Sequence, residues 1–305
     1  MEAIVFEEFG GSEVLRLTQV EEVHAGPGQV RVKVKAAGVN PVDYKIRNGW
    51  MDQLFPTTFP AVPGLEFAGI VDEVGEGVTG TAVGDEVVGW SVTGAYATYA
   101  LAESFTRKPA GLDWAQAAAL PIAVETAQRV LDLLGVRSGE TLLLHGAAGA
   151  VGAAAVQLAV AAGATVIGTA SPANHGYLRE LGAIPVAYGD GLVERVRAVA
   201  PQGVAAVFDA AGKGALPASV ELRGGTTDRI VTIADPDAAA HGVTFSAKTM
   251  ERPEIALAEH VRSAARGGLR IPVVESFPLE AAAKAQALSE AGHVRGKLLI
   301  VPTGA

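Results

Sequence analysis

Between Gly28 and Lys35 the chain reads Gly-Gln-Val-Arg-Val-Lys-Val-Lys, with apolar and basic positions in strict alternation. A period of two describes a strand with one buried face and one wet face, the Arg and Lys side chains forming the wet one. Phe67 to Val74 and Gly84 to Gly89 are further strand candidates, set apart by Gly-rich turns. Short strands punctuated by Gly and Pro predict a small antiparallel barrel or sandwich for this first stretch.

The period changes near Asp113. Asp113 to Ala119 reads as a helix capped by Asp113 and stopped by Pro121, and a second helix is expected from Val124 to Leu134. Strand, helix and strand follow, at Thr141 to His145, Val151 to Ala162 and Thr165 to Thr169. Apolar runs at Val186 to Tyr188, Val204 to Phe208 and Arg229 to Ala234 continue the βα spacing, which predicts a parallel, doubly wound sheet. Gly296 to Val301 predicts a closing strand, and no internal repeat or long linker interrupts the chain.

Composition narrows the partners. The 305 residues are 49% apolar and 19% charged, which describes a buried globular α/β chain of two domains rather than a disordered one. A net charge of −9 argues against nucleic acid and membrane surfaces as partners. With no Cys, disulfides, thiolate metal sites and Cys nucleophiles are excluded. Met1 leads straight into the strand-like Ala3 to Phe6, without a basic, cleavable apolar leader, so a cytoplasmic location is expected.

The strongest chemical signal is the run from Thr141 to Gly152, Thr-Leu-Leu-Leu-His-Gly-Ala-Ala-Gly-Ala-Val-Gly. A buried strand feeds a Gly-rich turn that opens a helix of small residues. Gly149 would let the backbone approach a pyrophosphate, which then rests on the helix N-terminus, and Gly152 would allow close helix–strand packing. Ala147 stands where G-x-G-x-x-G asks for its first Gly, so the flanking strand and helix carry the reading. The next strand ends in Gly168-Thr-Ala-Ser171, without the acid that holds an NAD ribose. Ser171 can instead donate to a 2′-phosphate, with His175 and Arg179 adding positive charge, so NADPH is the expected cofactor. Ser171 could equally cap the following helix.

These features sit among motifs that resemble the medium-chain dehydrogenase/reductase superfamily, in its zinc-free quinone oxidoreductase branch. The matching stretches are Ala37 to Asp43, Pro63 to Gly69, Val83 to Val87, His145 to Gly152, Glu180 to Ala183, Phe208 to Gly212 and Gly292 to Lys297, in the family order. The resemblance implies a GroES-like β-rich catalytic domain over 1–120, completed by 272–305, and a Rossmann domain over 121–271. It further implies a cleft between them and a homodimer. Zinc-dependent alcohol dehydrogenases share the fold. Their metal needs a Cys where this chain has the Asn40 region and a His where it has Leu65, so no metal is expected. The six His form no i, i+4 pair or ligand cluster.

The resemblance also implies roles. Asn40 is the candidate donor to a developing oxyanion, with a turn role before Pro41 as the alternative. Asp43 orders its loop, bulk water or Tyr44 is the expected proton source, and Tyr44, Trp50 and Leu65 are expected pocket walls, with ordinary domain-interface packing as the alternative for the two aromatic residues. Cofactor contacts are expected at Thr126, Gly149, Ala150, Val151, Gly152, Ser171, His175, Tyr188, Ala211, Ile233 and Lys297, although a lone Lys before a strand is usually solvated. Enoyl-thioester reductases of the superfamily carry a Tyr near the position of Met51, which weakens that reading. The expected activity is NADPH-dependent hydride transfer to a quinone or other α,β-unsaturated carbonyl compound. An enoyl-thioester or polyketide enoyl reductase and a non-catalytic, crystallin-like NADPH-binding protein stand as alternatives.

Overall fold

The computed structural model describes residues 1–292 and 294–302; His293, one of the six His and part of the last family motif, lies outside the described residues. The chain divides into two compact units, one formed by 1–122 with 251–305 and one by 123–250.

The first unit opens with β1 (Glu2–Val5), β2 (Arg16–Gln19), β3 (Val30–Val39), α1 (Pro41–Arg47) and β4 (Glu66–Val74). β5 (Glu86–Trp90), β6 (Tyr99–Ala102), β7 (Phe105–Arg107) and α2 (Trp114–Ala118) follow. α3 (Pro121–Leu134) has its first two residues in the first unit and the rest in the second, where β8 (Thr141–His145), α4 (Ala150–Ala161), β9 (Thr165–Thr169), α5 (His175–Glu180) and β10 (Ile184–Val186) follow. α6 (Leu192–Val199), β11 (Ala206–Asp209), α7 (Leu216–Leu222), β12 (Ile230–Thr232) and β13 (Thr244–Phe245) complete it. The chain then returns with α8 (Pro253–Ala265), β14 (Val273–Pro278), α9 (Ala282–Ala291) and β15 (Lys297–Val301).

The alternation from Val30 onward does what a period of two requires. Val30, Val32 and Val34 are fully buried, whereas Arg31, Lys33 and Lys35 are half-exposed. From Ala36 to Val39 both faces are covered, because β3 is central in a seven-stranded sheet of order β14-β15-β3-β4-β5-β7, with β6 also paired to β3. β15 pairs antiparallel with β3, so the C-terminal strand closes the sheet that the N-terminal residues begin. The apolar core between these strands includes Phe67, Val71, Val87, Tyr96 and Ile300. α8 belongs to this unit rather than to the expected 121–271 segment, because it packs on β7.

Two local features differ from the sequence pattern. Pro121 ends the Asp113-capped helix and also supplies the first residue of α3, where its fixed φ and missing N–H do no harm. α1 was not foreshadowed by any apolar period. It forms because Pro41 starts it and Asn40 precedes it in extended conformation, with the Asp43 carboxylate accepting from the Asn40 N–H at 2.8 Å.

The second unit is a six-stranded parallel sheet of order β10-β9-β8-β11-β12-β13. The order reverses between β8 and β11, and the crevice outside the carboxyl ends of such strands is where doubly wound sheets bind ligands. Leu143, Ile167, Val207, Leu216 and Ile230 fill the core against α6 and α7. Among the described residues, no helix is long and apolar enough to cross a membrane.

Candidate functional site

The turn after β8 is built from backbone. Gly146 has φ of +73°, and a Cβ there would come within 3.2 Å of the Ala210–Ala211 backbone after β11, so the two strand ends meet closely. Gly149 precedes α4, and a Cβ on it would meet only the Gly146 carbonyl, at 3.5 Å. Gly152 tolerates no side chain: its Cβ would lie 2.3 Å from the Gly146 oxygen and 2.7 Å from the Ala147 Cα. α4 thus starts pressed against the turn, with the first-turn N–H groups of Ala150, Val151 and Gly152 lacking acceptors in their own helix. That is a cradle for an anion, favoured further by the helix dipole.

The end of the next strand carries no acidic side chain. Ser171 begins a short turn without capping it through its side chain, and its Oγ accepts from Asn174 Nδ2 at 3.2 Å. The Ser171 O–H therefore stays available as a donor. His175 Nε2 lies 3.2 Å from the Ala170 carbonyl, and Arg179 is exposed on α5. Tyr188, just past β10, is exposed. Ala211 and Ile233 follow β11 and β12, where the buried Asp209 fixes the backbone. Its carboxylate accepts from the N–H groups of Ala211 (2.9 Å) and Gly212 (3.1 Å) and from Thr232 Oγ1 (2.7 Å). Gly149 to Gly152, Ser171, Tyr188, Ala211 and Ile233 thus all lie along one carboxyl edge. Thr126 is buried in α3, its hydroxyl 3.3 Å from the Glu125 carboxylate.

His145, the last residue of β8, is buried between Thr169 Oγ1 (3.2 Å from Nδ1) and Ser219 Oγ (3.0 Å from Nε2). Burial lowers its pKa to about 4, with the nearby Asp209 pulling the other way, so it is neutral at physiological pH.

In the first unit, Asn40 belongs to a closed polar cluster. Its Nδ2 donates to Glu66 Oε1 at 2.7 Å, and its Oδ1 accepts from Lys297 Nζ at 2.6 Å. Lys297 also pairs with Glu66, and Glu66 Oε2 accepts from the Ile122 N–H at 2.7 Å. Lys297 is 1% exposed rather than solvated, because its ammonium lies between two buried acceptors. Asp43 Oδ2 takes the Tyr96 hydroxyl at 2.9 Å, while Oδ1 is buried without a partner. Burial pushes the Asp43 carboxyl up to about 7, outweighing the Asn40 N–H and the Tyr96 hydroxyl. Deeper still, the fully buried Arg47 donates to Gln286 and Glu290 of α9.

Asp43 and Leu65 lie in the wall of a recess of about 350 Å³, with Phe55, Pro63, Ser91 and Val92. Tyr44 is half-buried, and its pKa is raised by burial and by Glu290. It meets Trp50 edge to face at 6.2 Å, while Trp50 itself is 66% exposed. Sequence reasoning missed Glu66, Tyr96, Arg47 and Gln286 as members of this cluster. A signal existed for Glu66 alone, a charged residue opening an otherwise apolar strand motif.

Among the described residues, no three His, Asp or Glu side chains gather as a metal ligand set. The donor chemistry around Asn40 does not suit zinc either. Leu65 offers no ligand atom, and the Lys297 ammonium already supplies the cation between Asn40 and Glu66.

Comparison with known proteins agrees with this geometry. Residues 26–110 match the alcohol dehydrogenase GroES-like domain, and residues 181–300 match the zinc-binding dehydrogenase family. The chain is 32% identical over 320 residues to the chloroplastic NADPH-dependent alkenal/one oxidoreductase of Arabidopsis thaliana, covering 99% of this chain and 80% of that one. It is 45% identical over 175 residues to the quinone oxidoreductase of Rattus norvegicus, covering 56% of this chain and 53% of that one. The matches thus span about half the length of the curated quinone oxidoreductases. The structure of Escherichia coli quinone oxidoreductase complexed with NADPH superposes with a TM-score of 0.87 at 27% identity, over 99% of this chain and 100% of that one. The chain belongs to the medium-chain dehydrogenase/reductase superfamily, in its quinone oxidoreductase branch.

Proposed function

We propose that this protein is an NADPH-dependent reductase of quinones or other α,β-unsaturated carbonyl compounds that works without zinc. The observation that carries the reading is the acid-free end of β9. There Ser171 leaves its hydroxyl free to donate, beside a glycine turn that admits a pyrophosphate. The named activity of the Arabidopsis relative and the NADPH complex of the Escherichia coli enzyme support it.

Reduced nicotinamide, when bound, supplies a hydride for the electrophilic carbon of the acceptor. The first turn of α4 holds the pyrophosphate, and Ser171 donates to the 2′-phosphate. Charge that grows on the acceptor oxygen needs a fixed donor. Asn40 has one Nδ2 hydrogen beyond the one given to Glu66, and its amide plane is fixed by Glu66 and Lys297. Lys297 also strengthens that donor by polarising the amide. Tyr44 keeps its proton at neutral pH, as a proton source must. The recess beside Leu65 takes the apolar body of the acceptor.

The test is kcat/KM with NADPH across a quinone, an enone and an enoyl thioester. Turnover of the quinone or enone is expected to lead. A clear lead for the thioester would make the protein an enoyl reductase, and no turnover of any acceptor would leave an NADPH-binding protein.

A further inference from the structure

Arg195 holds the loop between β10 and α6. Arg195 Nε donates to the Ala187 carbonyl at 3.1 Å, and Nη1 donates to Asp190 at 2.7 Å. Nη2 donates to Tyr188 at 3.3 Å and Gly189 at 3.1 Å. Four consecutive carbonyls are thereby gathered onto one guanidinium, which uses four of its five N–H groups and leaves one on Nη1.

The charge on that guanidinium is not paired. Asp190 and Glu194 are its sequence neighbours, yet Asp190 contributes only its carbonyl, and among the described residues no carboxylate forms an ion pair with Arg195. Arg195 also sits in the first turn of α6, where the helix dipole disfavours a cation. Neither the helix nor an acid accounts for a positive charge at this position.

The sheet supplies a reason. β10 pairs in parallel with β9, Val186 opposite Thr169, and the Ala170 N–H donates to the Val186 carbonyl at 3.1 Å. Ser171 and Tyr188 therefore stand two residues past paired positions, on neighbouring loops of one carboxyl edge. The basic side chains that follow Ser171 most closely in sequence make no bond to that loop. The His175 ring is against the Ala170 carbonyl, and Arg179 lies exposed in the last turn of α5.

We infer that Arg195 is a specificity-determining residue for the 2′-phosphate of NADPH: it positions the Tyr188 loop beside Ser171 and puts an unpaired positive charge there. This rests on the reading of the edge as an NADPH site. A dinucleotide without the 2′-phosphate would gain little from that charge, so the contribution appears in the difference between the two cofactors.

The experiment is calorimetric titration of wild type, Arg195→Gln and Arg195→Lys with NADPH and with NADH, alongside melting temperatures. Wild type should bind NADPH more tightly by about tenfold or more. Arg195→Gln should weaken NADPH by roughly tenfold and NADH by less than about twofold, the size expected for one partly solvated charge. Arg195→Lys keeps the charge and should retain most of the preference. If Arg195→Gln weakens both cofactors in parallel, or neither, Arg195 is a loop strap and the inference fails while the NADPH reading stands. Equal affinity of the wild type for both cofactors overturns both.

Discussion

At the carboxyl edge of the parallel sheet the working groups are backbone N–H groups, glycines and half-exposed side chains such as Ser171. Around Lys297 the working groups are a buried ion pair and the Asn40 amide, bonded to one another, with one Nδ2 hydrogen of Asn40 left over. The first region is an open cradle with donors left over for an anionic ligand. The second is a cluster whose members fix one another's geometry before any ligand binds and leave a single amide hydrogen of Asn40 to offer. What the pair teaches is that a binding surface and a positioning scaffold can be told apart by unspent hydrogen-bond capacity, not by charge alone.

Breaking the cradle should have the largest effect. Gly152→Ala puts a methyl group within 2.3 Å of the Gly146 carbonyl, so α4 must move off the turn. NADPH binding should be lost and the melting temperature should drop. Gly176→Ala in α5, where a Cβ meets nothing within 4 Å, should leave both unchanged.

Breaking the cluster comes next. Lys297→Met strands the Glu66 carboxylate, and uncovering one member of a buried pair costs about 3–5 kcal/mol. The lower end applies here, because the Asn40 amide and the Ile122 N–H still serve Glu66. Adding Glu66→Gln should recover much of the loss, as measured by denaturant unfolding. A double variant no better than the single one would mean that the pair is not the source of the effect.

A smaller change sharpens the cradle. Ser171→Asp places a carboxylate beside the 2′-phosphate and should move the NADPH-to-NADH ratio of kcat/KM by about tenfold or more toward NADH. Stability should be unaffected, since Ser171 makes no capping bond through its side chain.

The smallest effect separates the regions by pH. The Asp43 pKa, about 7, lies above its ordinary 3.8, so the folded state holds a proton that the unfolded chain releases. Its contribution to stability therefore falls as pH rises from 3.8 to about 7. The His145 pKa, about 4, lies below its ordinary 6.5, so its contribution falls as pH drops from 6.5 to about 4. The two oppose each other in the wild type. Asp43→Asn should leave the His145 dependence uncovered, giving a melting temperature that climbs more steeply with pH between about 4 and 6.5 than in the wild type.

The same contrast explains what the amino-acid sequence disclosed. The cradle is local: strand, glycines and helix follow within twelve residues from Thr141 to Gly152, and Ser171 lies at the end of the very next strand. Its chemistry is backbone chemistry, which glycine positions report directly. The cluster is assembled from β3, β4, α1 and the start of β15, and Lys297 meets Asn40 across 257 positions. No spacing rule reaches that far, so Lys297 is expected only as a cofactor contact or a solvated residue, and Glu66 as part of a motif without a role. α1 was hidden for another reason: Arg47 and Asp43 are its buried positions, so its inward face carries no apolar period. The Arg195 strap escaped notice because its partners are carbonyls, which every residue has.

Hydride transfer from NADPH to a conjugated carbonyl without zinc is open to one direct assay. Metal-stripped protein is mixed with NADPH and an enone, and NADPH consumption is followed by nicotinamide absorbance with and without a chelator. Steady consumption is expected, at a rate the chelator does not change. Consumption that vanishes in the stripped protein and returns with added zinc would contradict it.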